Sequence, residues 1–150
     1  MPVAWRVAKQ RHPAFDGTGA MLNGGRWNSP GRMVVYAADT FAGAILEILA
    51  HASRPRTLPG PHHAVRLEFA EDMSETIDAE ALPGWDTRGS PEALRYGDRW
   101  LDDGRTAVLV VPAVASRPVG NLVIINPDHP DARRIAVSEP FAVPWDERLF

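Results

Sequence analysis

The sequence contains no cysteine, a single lysine and no long uninterrupted apolar run. The absence of cysteine excludes disulfide frameworks, thiolate metal sites and cysteine nucleophiles. No apolar run approaches the roughly 18 residues that a membrane-spanning helix needs, and the N-terminal stretch lacks the apolar core of a secretory signal. We therefore expect a soluble, cytoplasmic protein that has no membrane partner.

The composition that remains is typical of one ordinary globular domain. The chain has 150 residues, of which 45% are hydrophobic and 23% are charged, so we expect a single domain over residues 1–150. Sixteen basic residues against nineteen acidic ones give a net charge of −3. This balance argues against a bulk cationic nucleic-acid binder, and it gives little support to an enzyme that cuts RNA.

Hydrophobic periodicity predicts about six strands and two helices. Two continuous apolar runs, 107–112 and 122–125, are typical of central strands that are buried on both faces. Further strands are predicted at 3–8, 33–38 and 64–69, with short edge strands at 134–137 and 141–143. Long loops are predicted at 9–32 and 71–89. Because strands dominate and do not alternate with helices, we predict an α+β fold with a mixed β-sheet.

Both predicted helices have clear start signals. Asp39 or Thr40 caps the first helix, which runs to about Ser53 and is ended by Arg54-Pro55. Ser90, followed by proline and an acidic residue, starts the second helix, which stops near Gly104.

The first candidate binding motif is GGRWN, residues 24–28, inside the first predicted loop. Paired glycines let a backbone approach a ligand closely. Arg26 can fork two hydrogen bonds onto a phosphate, Trp27 offers a stacking face, and we group Asn28 with them as a binding candidate. The competing interpretation is a surface loop with a buried tryptophan and a solvated arginine. The glycine signatures GxGxxG and GxxxxGK[ST] are both absent.

The second candidate pair is Tyr36, in a predicted strand, and Glu47, in the helix that follows. Glu47 has Leu46 and Ile48 as neighbours, and a carboxylate beside apolar groups is costly unless it is paired. His51, one helical turn later, is a candidate partner. The competing interpretation is an exposed acid on a surface helix.

The C-terminal third adds one further candidate. Asn121, just before an apolar strand, either points its amide at a ligand or satisfies a turn. The segment from Asn126 to Pro130 has the turn dipeptides Asn-Pro and His-Pro, which favour an architectural role. The pair His62-His63 has no spaced third ligand, so we expect no metal. No GxSxG nucleophile elbow is present.

Taken together, these motifs resemble the RES family, which is named after an arginine, a glutamate and a serine. The likeness covers nearly the whole chain. In order, its motifs are the opening WR, GGRWN, the VVYAA strand, the helix AILEILAH, the segment GDRWL at 97–101, the VVP strand, and the closing NPDHPDA.

The resemblance implies a toxin of a bacterial toxin–antitoxin pair that has an ADP-ribosyltransferase-like fold and consumes NAD⁺. It also implies an Xre-type helix-turn-helix antitoxin that covers the active site, hence a hetero-oligomer without direct nucleic-acid binding, and possible ADP-ribosylation of a target protein. The matching site positions are the arginine Arg26, the tyrosine Tyr36, the glutamate Glu47 and the asparagine Asn121. The serine position holds Ala113, and Ser116 lies nearby but out of register.

The resemblance gives these residues a chemical role. We expect Glu47 to stabilise the positive charge that develops on the ribose as nicotinamide leaves. Arg26 is expected to hold the pyrophosphate and Tyr36 to orient the nicotinamide. The predicted cofactor-binding set also includes Trp27, Asn28, His51 and Asn121.

The resemblance leaves the acceptor of ADP-ribose open between a protein side chain, water and phosphate. Transferases that modify arginine usually carry a second acid two residues before the catalytic glutamate. Here that position is Ile45, which disfavours an arginine acceptor. Ala113 motivates the alternative of a catalytically weakened or inactive module that only binds the antitoxin.

Overall fold

The structure, a computed structural model, describes residues 1–52, 54 and 56–150. Within them are eight strands and three α-helices. The strands are β1 (Val3–Lys9), β2 (Val35–Ala38), β3 (His62–Glu68), β4 (Ser74–Thr76), β5 (Val108–Pro112), β6 (Asn121–Ile125), β7 (Ala136–Val137) and β8 (Phe141–Ala142). The helices are α1 (Thr18–Asn23), α2 (Phe41–Ala50) and α3 (Pro91–Asp103).

All eight strands belong to one sheet in the order β4-β5-β6-β2-β1-β3-β7, with β8 also paired to β3. The pair β4–β5 is parallel, and the other pairs are antiparallel. The predicted α+β fold with a mixed sheet is therefore confirmed.

The predicted number of elements is too low. Helix α1 lies within the predicted loop 9–32, and β4 lies within the predicted loop 71–89. Helix α1 has six residues, none of them buried, and β4 has three residues of polar sequence. Neither segment is long enough to show a hydrophobic period, which is the signal on which the prediction depends. The first edge strand is also shorter than predicted and covers Ala136–Val137 only.

The two apolar runs form neighbouring interior strands of the sheet. Strands β5 and β6 pair in register, with Val108 opposite Ile125 and Leu109 opposite Ile124. All four side chains are fully buried, and consecutive residues belong to two different apolar clusters. The prediction that these strands are buried on both faces is confirmed.

Helix α2 packs on one face of the sheet. The Thr40 hydroxyl accepts a hydrogen bond from the Gly43 amide at 2.9 Å and caps the helix. Ala44 and the half-buried Ile45 pack with Trp5 of β1 in a third apolar cluster. The helix ends at Ala50, and the predicted end at Ser53 and Pro55 lies outside the described residues.

Helix α3 begins and ends as its sequence predicts. The Ser90 hydroxyl accepts a hydrogen bond from the Ala93 amide at 3.1 Å, and Gly104 follows the helix with a φ of 61°. Such a left-handed conformation favours glycine at this position. Trp100 anchors the helix in the second cluster, together with Trp27. None of the described helices is long and apolar enough to cross a membrane.

Candidate active site

A cavity of about 760 Å³ opens between α1, α2 and the strands β1 and β2. This volume lies within the range of small-molecule sites. Four of the predicted site residues line it: Arg26, Tyr36, Glu47 and His51. In the described part of the chain, no three His, Cys, Asp or Glu side chains come together as a metal site would need.

Arg26 reaches the cavity from the arginine loop, by which we mean residues 24–29. Its Nη1 donates hydrogen bonds to the carbonyl oxygens of Trp85 at 2.9 Å and Thr87 at 2.6 Å. Nη1 therefore anchors the guanidinium to the protein. The N–H groups of Nε and Nη2, on the opposite edge, have no hydrogen-bond partner among the described residues.

Both glycines of the arginine loop are required by the loop itself. Gly24 has a φ of 71°, a conformation that side chains other than glycine rarely adopt. A Cβ on Gly25 would lie 2.7 Å from the Tyr36 hydroxyl. We predicted that these glycines admit a ligand, and the close approach that the structure shows is to Tyr36.

Trp27 and Asn28 lie inside the protein, and their predicted ligand contacts need correction. Trp27 is 1% exposed and packs edge-on against Tyr96, so neither ring face is free. Asn28 is fully buried, and its amide donates to the carbonyls of Ala20 and Arg32 at 2.9 and 3.0 Å. The Trp27 and Asn28 side chains therefore stabilise the conformation of the loop that carries Arg26.

Tyr36 joins β2 to the arginine loop through its hydroxyl. The hydroxyl donates to Asn28 Oδ1 at 2.7 Å and accepts from the Trp27 amide at 3.1 Å. Burial is the main reason that the pKa of Tyr36 is raised, so the hydroxyl stays protonated. Its hydrogen-bonding capacity is used within the protein, and the ring remains as the surface that faces the cavity.

Glu47 lies on the α2 side of the cavity with 24% of its side chain exposed. Burial raises the pKa of Glu47 above its ordinary value, and the positive charges of His51 and Arg26 partly offset this rise. The distance from His51 Nδ1 to Glu47 Oε2 is 3.9 Å, and the His51 side chain is 80% exposed. The predicted Glu47–His51 pair therefore exists, but it is long and solvated.

Asn121 does not line the cavity, so the structure does not bring it together with Arg26, Tyr36 and Glu47. Its Nδ2 donates to Asp39 Oδ2 at 3.0 Å, and its backbone amide donates to Asp39 Oδ1 at 3.2 Å. These bonds join the end of β2 to the start of β6. The Asn121 amide therefore binds within the protein, to the Asp39 carboxylate and, at 3.5 Å, to the Val119 carbonyl of the preceding turn.

The position of the family serine is closed to the cavity. Ala113 is 2% exposed, whereas its neighbours Pro112 and Val114 line the cavity. The Ala113 amide donates to the Gly120 carbonyl at 3.0 Å. This part of the site therefore offers apolar surface.

Arg6 of β1, for which no role was predicted, also lines the cavity. Its Nε, Nη1 and Nη2 donate to the carbonyls of Ala14, Tyr36 and Asp16 at 2.9, 2.8 and 3.2 Å. The arginine holds the segment before α1 against β2. A signal was present, because alternation along β1 places Arg6 on the same side as two buried alanines, Ala4 and Ala8.

The fold has a counterpart among solved structures. A chain in the crystal structure of the M. tuberculosis MbcT–MbcA toxin–antitoxin complex superposes with a TM-score of 0.73 and 16% sequence identity. The match covers 94% of this chain and 83% of that chain. At this identity the similarity establishes the shared α+β fold.

Sequence comparison defines the family. Residues 3–146 match the RES domain family, and the chain belongs to that family. Toxin Res from Pseudomonas putida is 35% identical over 150 residues, which cover 99% of both chains. The Prs ADP-ribosylating toxin of a Sphingobium species is 35% identical over 154 residues, which cover 97% of this chain and 94% of that protein. The resemblance to the RES family is confirmed.

Proposed function

We propose that this protein is a toxin that cleaves the nicotinamide N-glycosidic bond of NAD⁺ and transfers ADP-ribose to an acceptor. The observation that carries the proposal is that Arg26 and Glu47 line the same cavity, with Tyr36 between them in sequence. A guanidinium and a carboxylate match the two charged parts of the reaction, the pyrophosphate and the developing ribose cation. A relative named as an ADP-ribosylating toxin supports this chemistry.

The reaction breaks the bond between the ribose C1′ and the nicotinamide nitrogen. The electron pair of that bond leaves with neutral nicotinamide, and positive charge develops on the ribose. The acceptor then attacks C1′ and gives up a proton. Glu47, as the carboxylate, stabilises the charge while it develops. Because its side chain is largely removed from water, this electrostatic stabilisation is stronger than it would be in bulk solvent.

Arg26 is suited to hold the pyrophosphate. Its Nη1 is fixed by the carbonyls of Trp85 and Thr87, and the Nε–Nη2 edge matches the spacing of two phosphate oxygens. A guanidinium that is held in place loses little conformational entropy when the ligand binds. The Tyr36 ring, fixed through its hydroxyl, is a surface against which the nicotinamide packs.

The residue two positions before Glu47 bears on one class of acceptor, the arginine side chain. Ile45 packs in the apolar cluster below α2 and does not line the cavity. No second carboxylate is therefore supplied from this helix position, which disfavours arginine acceptors. Labelled NAD⁺ added to cell lysate separates the remaining classes. A labelled protein band indicates a side-chain acceptor, free ADP-ribose indicates water, and ADP-ribose carrying an added phosphate indicates phosphate.

An Xre-type helix-turn-helix antitoxin is the proposed partner, in a hetero-oligomer that covers the cavity. The shared fold with a chain of a toxin–antitoxin complex supports this part of the proposal. The direct test is co-purification of the two chains, followed by a nicotinamide-release assay with and without the antitoxin. We expect the antitoxin to suppress release.

The main test is nicotinamide release from NAD⁺ by the purified protein and two variants. Glu47→Gln removes the charge and is expected to lower the rate by about 10²–10³-fold. Glu68→Gln is the matched control, because Glu68 lies on β3, pairs with Arg66 at 2.9 Å and does not line the cavity. Equal release by the wild type and Glu47→Gln would contradict the proposal.

The second candidate is a module that binds the antitoxin without turning over NAD⁺. The buried methyl of Ala113, in place of the family serine, favours it. This alternative predicts antitoxin binding, no nicotinamide release by the wild type and no growth arrest when the protein is expressed.

A further inference from the structure

The segment GDRWL has no part in the chemistry proposed above, yet it contacts the backbone of the arginine loop. Asp98, in the middle of α3, accepts a hydrogen bond from the Ser29 amide at 2.9 Å and a second, short one from the Ser29 hydroxyl. Both carboxylate oxygens are therefore engaged by one residue of the loop. Bonds from two donors to an anionic acceptor are stronger than bonds between neutral groups.

Gly97, the residue before Asp98, lets the loop lie directly on the helix. A Cβ at this position would come within 1.7 Å of the Trp27 carbonyl oxygen and 2.6 Å of its carbonyl carbon. No side chain fits in that space, so the loop backbone and the helix backbone are in direct contact. Gly97 and Asp98 thus contact the loop on both sides of Asn28.

The guanidinium of Arg26 is held by the chain segment that leads into the same helix. Its two carbonyl acceptors belong to Trp85 and Thr87, a few residues before the Ser90 cap of α3. Trp85 packs in the same apolar cluster as Trp27. Helix α3 therefore holds the backbone next to Arg26, and the segment that precedes α3 holds the tip of the Arg26 side chain.

From this arrangement we infer that Asp98 is a positioning residue for Arg26, and that it acts through Ser29. Asp98 does not line the cavity, so it does not touch the substrate. Its carboxylate fixes the loop so that the guanidinium meets the carbonyls of Trp85 and Thr87 with its Nε–Nη2 edge unoccupied. This inference rests on the proposed function for its kinetic consequence, since the pyrophosphate is the group that Arg26 would hold.

The loss of Asp98 should weaken NAD⁺ binding more than it slows the chemical step. Arg26 keeps its charge in Asp98→Ala, but the loop loses both bonds to α3. An interaction that holds substrate and transition state alike affects KM, whereas one made only in the transition state affects kcat. We expect Asp98→Ala to raise KM for NAD⁺ by about tenfold, with kcat within about twofold of the wild type.

Two further variants separate positioning from simple structural support. Asp98→Asn has the same shape and keeps an oxygen that accepts from the Ser29 amide, so it should restore KM to within about threefold of the wild type. Asp102→Ala is the matched control, because Asp102 lies one turn later on α3 and pairs with Arg32 at 2.8 Å on the exposed surface. We expect it to leave KM unchanged. A lower melting temperature for Asp98→Ala with wild-type KM would overturn the inference.

Hydrogen exchange measured by mass spectrometry tests the same contact without turnover. In Asp98→Ala, peptides covering residues 24–29 should exchange faster, while peptides from β5 and β6 should not change. Unchanged exchange at 24–29 would overturn the inference even if NAD⁺ is the substrate. Conversely, if these peptides exchange faster in Asp98→Ala but the wild type releases no nicotinamide, the inferred contact is supported. Only the proposed function is then contradicted.

Discussion

The two charged sides of the cavity are built in different ways. The arginine loop is held by hydrogen bonds to three other segments of the protein: Tyr36 on β2, the residues Trp85 and Thr87, and Asp98 on α3. Glu47 is held by one helix, whose cap and backbone bonds are local and whose other side packs on the sheet. Its own polar contact, to His51, is long and solvated.

This difference predicts how each side responds to substitution. The position of Arg26 should be sensitive to changes at distant residues, because hydrogen bonds to Trp85 and Thr87 hold its side chain and Asp98 holds the end of its loop. The position of Glu47 should tolerate changes around it, because the helix backbone places it. We therefore expect distant substitutions to alter function on the arginine side, whereas on the glutamate side the proposed catalytic group, Glu47, should matter most.

The largest effect on stability is expected from Gly97→Ala. The added methyl would overlap the backbone of Trp27, and neither backbone can move without disrupting α3 or the arginine loop. We expect a loss of more than about 3 kcal/mol in the free energy of unfolding, measured by urea denaturation. Gly19→Ala is the control, because a Cβ there meets no atom within 4 Å. If both substitutions have the same small effect, the loop does not depend on contact with α3.

Tyr36→Phe should have the next largest effect on stability. It leaves the buried Asn28 oxygen without the hydroxyl donor and the Trp27 amide without its acceptor. An unsatisfied buried polar group costs about 1–3 kcal/mol, so we expect a loss of about 2 kcal/mol in thermal or chemical denaturation. Tyr96→Phe, in the neighbouring helix, removes a hydroxyl that makes no hydrogen bond with the described residues and should cost less. A reversed order of the two variants would contradict the role given to the Tyr36 hydroxyl.

The pH dependence of activity should report Glu47. Because burial raises the pKa of this carboxyl above its ordinary value of 4.5, kcat/KM should fall on the acid side with a midpoint above pH 4.5. In the proposed reaction only the carboxylate would stabilise the ribose cation, so activity should be lost as the pH falls through this pKa. A profile that stays flat down to pH 4.5 would contradict a catalytic Glu47.

The same raised pKa has a consequence for stability with the opposite sign. A carboxyl whose pKa is higher in the folded state binds protons more tightly there, so its contribution to stability falls as the pH rises through that pKa. Glu47→Gln should therefore raise the melting temperature relative to the wild type at pH 7. The difference should shrink when the pH is lowered towards 4.5. A variant that is less stable than the wild type at pH 7 would contradict this account of Glu47.

The smallest effect is expected from His51→Ala. His51 is 80% exposed, and its ring nitrogen lies 3.9 Å from the Glu47 carboxylate. Exposed ion pairs contribute at most about 1 kcal/mol, so nicotinamide release should stay within a few-fold of the wild-type rate. A loss as large as that of Glu47→Gln would show that His51 takes part in the chemistry.

The sequence predicted the parts of the molecule that local patterns determine. Helix α2, helix α3 with its Ser90 cap, and the two buried strands follow from periodicity and capping, while the cap of α2 was left open between Asp39 and Thr40. Glu47 reaches the cavity because its helix does. Family resemblance supplied the positions of Arg26 and Tyr36, and the structure places both beside that cavity.

The parts that were missed depend on which partner a polar side chain in a loop selects, whether that partner is near or distant in the chain. The orientation of Asn28 is decided by the carbonyls of Ala20 and Arg32 and by the Tyr36 hydroxyl, and that of Asn121 by Asp39. No periodicity encodes such pairings, and a polar side chain in a loop motif looks the same whether it binds a ligand or the protein's own backbone.

The central claim is that one dinucleotide lies between the two charged sides of the cavity. A crystal structure of Glu47→Gln with NAD⁺ tests it most directly, since the slow variant keeps the substrate whole. We expect the pyrophosphate at the Nε–Nη2 edge of Arg26 and the ribose C1′ facing the side chain at position 47. A dinucleotide bound outside this cavity, or one whose pyrophosphate lies away from Arg26, would contradict the claim.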